Sequence, residues 1–393
     1  MVKKTAADST LPKGTFQTRI VTAISAGHAV HDTYTAFLPP LLPLFIIQFN
    51  LSKTEAGLLS VFLQIPSLLQ FLIGHLADRG SLKWLVISAP GVSAVSMSLL
   101  GIAPHYAGLA FLLLVAGLSS AGFHATAPVI AGRLSGTRLG QGMGFWMLGG
   151  ELGRTLGPLI IVAAVGLVTL QGMPLLMPFG LLASFLLYVQ LKGIPEPHSQ
   201  KRERLKPRVI LSRITRFFLP LSGLILLRGF AMVAISVYLP IYLSEKGSSL
   251  FMAGASLTIV EAAGVIGALT GGWLSDKAGR KTMLTFSFLA TPILLLIFLQ
   301  AESWLQIILL ILLGLSALSI TPVIMALVQE SFPENRALAN GIYMTLSFVL
   351  RSGAVVVVGA MGDKLGLTTA FQVSAYLLLP GLIFIYFLPS FKK

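Results

Sequence analysis

The sequence predicts an all-α membrane protein: twelve transmembrane helices in two pseudo-symmetric six-helix bundles. Three observations carry that prediction. The composition is too apolar for a soluble domain, apolar stretches long enough to cross a bilayer recur along the chain, and one short motif occurs twice, half a chain apart. The chain is 55% hydrophobic and only 11% charged, with a mean hydropathy of +0.86. Soluble domains carry about 25% charged residues. A chain of 393 residues is long enough to bury a large core. It lacks the charge to cover its outside, so lipid must solvate much of its surface.

The apolar stretches lie at 19–47, 55–76, 83–101, 107–132, 140–165 and 172–191, then at 217–243, 250–273, 282–299, 304–329, 337–360 and 367–389. A helix needs about 20 such residues to span the hydrocarbon. This divides the chain into an N-terminal bundle at 1–191, a polar linker at 192–216 and a C-terminal bundle at 217–393. Pro39, Pro40 and Pro43 predict a bend in span 1, and Pro240 predicts one in span 7, because proline removes a helix hydrogen bond.

The repeated motif is Gly74-His75-Leu76-Ala77-Asp78-Arg79-Gly80, which returns as Gly272-Trp273-Leu274-Ser275-Asp276-Lys277-Ala278-Gly279-Arg280-Lys281. Each copy falls between the second and third spans of its half. Leu38-Pro39 matches Leu239-Pro240, and Ala56-Gly57 matches Ala253-Gly254. Ala127-Pro128-Val129-Ile130 matches Thr321-Pro322-Val323-Ile324. Duplicated membrane halves with a charged hairpin in the same place are the layout of a two-bundle transporter.

Charge placement predicts the orientation. Of the 28 Lys and Arg, only Lys53, Lys246 and Lys364 fall on the outer side, and Arg154, Arg228 and Arg351 fall within spans. The remaining 22 are cytoplasmic if both termini are inside, as the positive-inside rule requires. The expected location is a plasma membrane, the inner membrane in a bacterium. The net charge of +14 lies in short loops and forms no basic domain, so nucleic acid is not an expected partner. Membrane lipid is: the linker carries Lys201, Arg202, Arg204, Lys206, Arg208 and Arg213 and suits an anionic lipid surface. No cysteine is present, which excludes disulfides and thiolate chemistry. The first apolar stretch is too long for a signal peptide and reads as a retained helix. A monomer is expected.

Charge inside a membrane costs roughly 2.5–3.5 kcal/mol on insertion scales, so it must face a partner or water. The intramembrane charges are Asp32 in span 1, Glu151 and Arg154 in span 5, Arg228 in span 7, Glu261 in span 8 and Arg351 in span 11. Spans 3, 6, 9 and 12 hold none within them and can face lipid. The others then enclose a wet central site. His28, His31 and Asp32 are spaced to share one helix face, where Asp32 can bind a proton and either imidazole can relay it. The bland alternative is that the histidines simply satisfy Asp32. No further metal ligand is in view beside them and no cofactor motif is present, so neither is expected. Glu151 and Arg154 are set to pair, structurally or as a proton-sensitive switch that frees Arg154 for an anion. Glu261 and Arg351 have no local partner. Arg228 either reaches an anion or snorkels to the interface. His124, Tyr34 and Trp146 are candidate pocket residues, though aromatic residues in helices usually just pack.

On these motifs the chain resembles the major facilitator superfamily. The hairpin copies are similar to its motif A, G-x-L-[AS]-D-[RK]-x-G-R-[RK]; the second matches more fully, whereas in the first Gly80 comes early and the basic pair is reduced to Lys83. The resemblance implies a cytoplasmic latch built from Gly74, Asp78, Arg79, Gly272, Asp276, Lys277, Arg280 and Lys281. In span 5, Gly144, Gly153 and Gly157-Pro158 resemble the antiporter motif C, without its closing glycine pair, since Ile161-Val162 stand there. Gly27-His28 to Asp32, the run Phe37 to Pro43, and Gly122-Phe123-His124 look like the fosmidomycin-resistance group, with Ala125 in place of the proline after Phe-His. That resemblance implies proton-driven efflux of a small anionic or amphipathic compound. Asp32, His28, His31, Glu151 and Glu261 are then proton-coupling candidates. Arg154, Arg228, Arg351, His124, Tyr34 and Trp146 are substrate contacts. An organic-anion importer, a lysophospholipid flippase and a membrane receptor or scaffold are the alternatives. An enzyme is not expected, since no nucleophile–base pair is evident.

Overall fold

The computed structural model describes residues 15–70, 72–73, 83–194, 207–332 and 336–389. Eleven of the described helical segments are long and apolar enough to cross a membrane. In the first half, span 1 is Thr18–Thr35 followed by Leu38–Phe49. The break falls where Pro39 and Pro40 enter: proline suits the first turn of a new helix, whose N–H groups have no internal partner. Span 2 is Lys53–Gln64, continued by a tight turn at Ile65–Leu69 around Pro66. Ser52 and Glu55 form a reciprocal capping box at its start. Spans 3 to 6 are Lys83–Leu99, Tyr106–Leu134, Leu139–Val168 and Met177–Leu191.

In the second half, span 7 runs from Pro207 to Val233, through a π-helical turn at Ala234–Tyr238, into Leu239–Glu245. The wide turn sits where Pro240 withholds its N–H, at the bend the sequence predicts. The helix starts at Pro207, inside the expected linker, so the end of that linker is a helical extension of span 7. Spans 8 and 9 are Leu250–Ala278 and Arg280–Phe298, and span 10 is Trp304–Leu318 with Ile320–Ser331. Span 11 is Arg336–Leu365, and span 12 is Leu367–Tyr376 with Gly381–Phe387.

The two bundles are joined mainly at the end of the molecule away from the termini. One buried apolar cluster runs through both halves there, setting Phe37, Leu41 and Phe45 with Tyr238, Leu239 and Tyr242. Two others stay within one bundle each, around Phe123 and Trp146 in the first and around Phe217 and Phe332 in the second. Polar links reinforce the far end. Lys53 pairs with Glu245 at 2.9 Å, and the Tyr238 hydroxyl donates to the Val355 carbonyl at 2.8 Å and reaches the Lys53 carbonyl at 3.3 Å. The Asp363 carboxylate accepts from the N–H groups of Lys53 and Thr54.

Candidate transport site

Close contact between spans 1 and 5 builds the site. A Cβ added at Gly149, Gly153 or Gly157 would fall against the carbonyl oxygen of Ser25, Ala29 or Thr33 respectively. Both series advance by four residues, so two straight helix faces meet at backbone distance, as small-residue seams allow in membranes. Two of the three glycines are the ones that resemble motif C; Gly149 joins them, and Gly144 has open space beside it. This approach brings the polar face of span 1 onto span 5.

On that seam Asp32 is 3% exposed. Its Oδ2 lies 3.3 Å from His28 Nε2 and 3.3 Å from the Arg154 guanidinium, and its Oδ1 lies 3.5 Å from His124 Nε2. Arg154 also binds Glu151 on its own helix. The expected Glu151–Arg154 pair is therefore one end of a longer chain of charge that includes Asp32. The His28 ring stacks on Trp146 with centroids 3.7 Å apart, and its Nδ1 meets the Trp146 carbonyl at 2.9 Å. Trp146 thus serves as the wall that orients His28. His124 comes from span 4; its Nδ1 meets the Ser120 carbonyl at 3.0 Å and its Nε2 lies 3.2 Å from His28 Nε2. His28, Asp32 and His124 together form a group able to hold a metal ion.

His31 departs from the face expected for it. It turns to span 3, where its Nδ1 sits 3.0 Å from the Ser93 hydroxyl and 3.4 Å from the Ala89 carbonyl, and its ring packs on Phe123. The reason is the helix turn: consecutive residues lie about 100° apart, so with Asp32 on the span 5 seam its neighbour His31 faces span 3. Tyr34 is also buried, and its hydroxyl donates to the Leu176 carbonyl at the start of span 6.

The second bundle contributes cations. Arg228 donates to the Thr321 hydroxyl at 2.8 Å and to the Ala317 carbonyl at 3.1 Å, both in span 10. It points across the bundle and does not snorkel. Arg351 donates to the Ser236 hydroxyl at 2.9 Å, beside the π-helical turn. Neither arginine has a carboxylate salt-bridge partner among the described residues, and the Nε of each is buried without a hydrogen bond. Glu261 in span 8 lies within electrostatic reach of Arg154, Glu151 and Arg351, linking the two bundles without a salt bridge to any of them.

Of the latch residues, Gly74, Asp78 and Arg79 lie outside the described residues. The second copy is a brace within the C-terminal bundle. Arg280 bridges Asp276 at 2.7 Å and Glu330 at 2.7 Å, tying the hairpin to the end of span 10. Gly279 turns the chain at a φ of +94°, which favours a residue without a Cβ. Lys277 lies over the Trp273 ring at 3.7 Å, and Lys281 donates to the Tyr386 carbonyl in span 12 at 2.8 Å.

The family model for the Major Facilitator Superfamily matches residues 24–291 and 249–393. The chain belongs to that superfamily. It is 27% identical over 388 residues to the fosmidomycin resistance protein of Escherichia coli K12, covering 94% of this chain and 93% of that one. It is 24% identical over 391 residues to the MFS-type transporter YfnC of Bacillus subtilis, covering 97% and 95%. Among solved structures it resembles a bacterial homologue of the human lysosomal transporter Spinster in an inward-facing, unoccupied conformation, with a TM-score of 0.79 at 14% identity and 94% and 96% coverage. It also resembles the D-xylose-proton symporter, with a TM-score of 0.75 at 16% identity and 95% and 98% coverage. At these identities the structures show the fold alone. With this superfamily assignment the chain is a multi-pass membrane transporter, and the fold expected from the sequence is the one observed.

Proposed function

We propose that this transporter exports a small anionic compound in exchange for protons by alternating access of its two bundles. One observation carries the reading. The carboxylate-paired arginine and the arginines bound to neutral groups are divided between the bundles. Asp32 and Glu151, with Arg154 held between them, lie in the first, and Arg228 and Arg351, donating only to neutral acceptors, lie in the second. Two guanidinium groups without carboxylate partners suit a phosphonate or carboxylate group, which guanidinium binds with charge-assisted geometry. Arg154 is already engaged by two carboxylates, so Arg228 and Arg351 are the stronger candidates for anion contact.

Asp32 and Glu151 share that one arginine, so a proton taken by either leaves the other's ion pair with Arg154 in place. Glu261 stands between this chain and Arg351, positioned to report the protonation state to the anion site. Similarity to the fosmidomycin resistance protein supports export of a phosphonate-like compound. Uptake of labelled fosmidomycin into inverted proteoliposomes under an imposed pH gradient tests the reading. Accumulation should follow the gradient and vanish when an ionophore collapses it; accumulation indifferent to the gradient would refute proton coupling.

A further inference from the structure

We propose that His28, Asp32 and His124 form a three-ligand site for a divalent transition-metal ion, with zinc the best match to the donor set. The argument starts from the hydrogens. His28 Nδ1 faces the Trp146 carbonyl at 2.9 Å, and His124 Nδ1 faces the Ser120 carbonyl at 3.0 Å, closer than the Ser120 hydroxyl at 3.2 Å, which can accept from the same nitrogen. A carbonyl only accepts, so in each neutral ring Nδ1 carries the hydrogen and Nε2 presents a bare lone pair. Those two Nε2 atoms lie 3.2 Å apart, and the Asp32 carboxylate oxygens lie 3.3 and 3.5 Å from them. Three lone-pair donors thus converge with no donor hydrogen among them. A single proton can satisfy one edge of this triangle; a metal ion satisfies all three.

The triangle also has the right size. Zinc bonds to imidazole nitrogen and carboxylate oxygen run about 2.0–2.2 Å, which makes a tetrahedron edge about 3.3 Å. Two imidazoles and one carboxylate leave the fourth position open to water or another ligand. Both histidines already have the carbonyl partner on the far nitrogen that fixes a metal-binding tautomer. The His124 side chain is 30% exposed, which supplies an entry path to an otherwise buried group. Four other polar groups surround the site. Arg154 donates to Asp32 Oδ2 at 3.3 Å and is itself paired with Glu151, the Ser120 hydroxyl lies 3.2 Å from His124 Nδ1, and the His31 Nδ1 is held by Ser93 and Ala89.

This inference goes beyond the transport reading and stands on the geometry alone. A proton and a metal would use the same lone pairs, so the test reads metal binding directly, with no gradient present. The purified full chain in detergent is stripped with chelator and titrated with Zn²⁺ by calorimetry, and with Co²⁺ by visible absorption. One ion per chain is expected, with the intense d–d bands of a tetrahedral Co²⁺ site. His124→Ala and His28→Ala should each weaken binding at least about 100-fold. His105→Ala, which removes an exposed histidine at the start of span 4, should leave it unchanged. His124→Gln, closer in size, guards against loss through misfolding, as do circular dichroism and size-exclusion profiles. Absence of stoichiometric binding to the wild-type chain, or binding that survives both His→Ala changes, would overturn the proposal. Transport driven by a pH gradient in the presence of chelator examines proton coupling separately.

Discussion

Asp363, at the end of span 11, caps the start of span 2 in the other bundle through the N–H of Lys53. The oxygen-to-nitrogen distance is 2.6 Å, and the second carboxylate oxygen accepts from the Thr54 N–H at 3.0 Å and the Thr54 hydroxyl at 2.6 Å. A carboxylate at a helix N-terminus meets unpaired N–H groups and the positive end of the helix dipole. Here the cap is supplied across the bundle interface, so it holds the far end shut. Opening that end must expose those N–H groups again.

Asp363→Ala should therefore favour opening at the far end. Hydrogen bonds to a charged group contribute about 1.5–3 kcal/mol, so the closed-to-open ratio should fall about tenfold or more. The chain has no cysteine, so Ala56→Cys gives a single buried reporter in the first turn of span 2, beside the capped N–H groups. Labelling of that reporter by an impermeant maleimide should rise when Asp363→Ala is added.

Arg228 and Arg351 should each matter to anion recognition. Arg228→Gln or Arg351→Gln should weaken substrate binding by about 2–5 kcal/mol, the range for losing one side of a buried charged contact. Arg→Lys should restore part of it, because the charge returns without the planar fork. Binding isotherms on the purified chain would show this, with thermal melting checking that the fold persists.

Proton coupling should fail before substrate exchange does. Acidifying the outer side relative to the cytoplasm should accelerate export by wild-type chain. Asp32→Asn and Glu151→Gln should each flatten that dependence while retaining counterflow at equal pH. A receptor or scaffold would show neither activity, and loss of counterflow together with coupling would point to substrate contact instead.

The span 1–span 5 seam should tolerate no side chain. Gly153→Val places methyl groups against the Ala29 carbonyl and the Asp32 side chain. Overpacking of this kind costs about 1–3 kcal/mol, visible as a lower melting temperature, and it should also displace Asp32 and impair coupling. Gly144→Ala, which meets open space, should leave the melting temperature close to wild type.

The membrane architecture was legible in the sequence because lipid imposes a simple rule. A spanning segment outside a closed β-barrel must be a helix, and a spanning helix must be predominantly apolar. Hydropathy therefore marks the spans, the repeated Gly-x-Leu-x-Asp hairpin marks the duplication, and Pro39-Pro40 and Pro240 mark where spans 1 and 7 bend. The intramembrane charges were equally visible, because each one stands out against an apolar run. The linker's end was less legible: Pro207 can open a helix as readily as it can interrupt one, and only the fold shows that it starts span 7.

Partnership is what the tertiary structure decided. Local spacing grouped His28, His31 and Asp32, yet His31 turns to Ser93 while His124, more than ninety positions away, completes the cluster. Glu151–Arg154 was readable as a local pair, but not its extension to Asp32. Asp363 carried no signal as a cap for span 2. A sequence states which charges sit in lipid, because burial energy depends on the residue and its neighbours in the chain. It does not state which charges meet, because that depends on how closely helices approach, and here the approach is set by Gly149, Gly153 and Gly157 against the backbone of span 1.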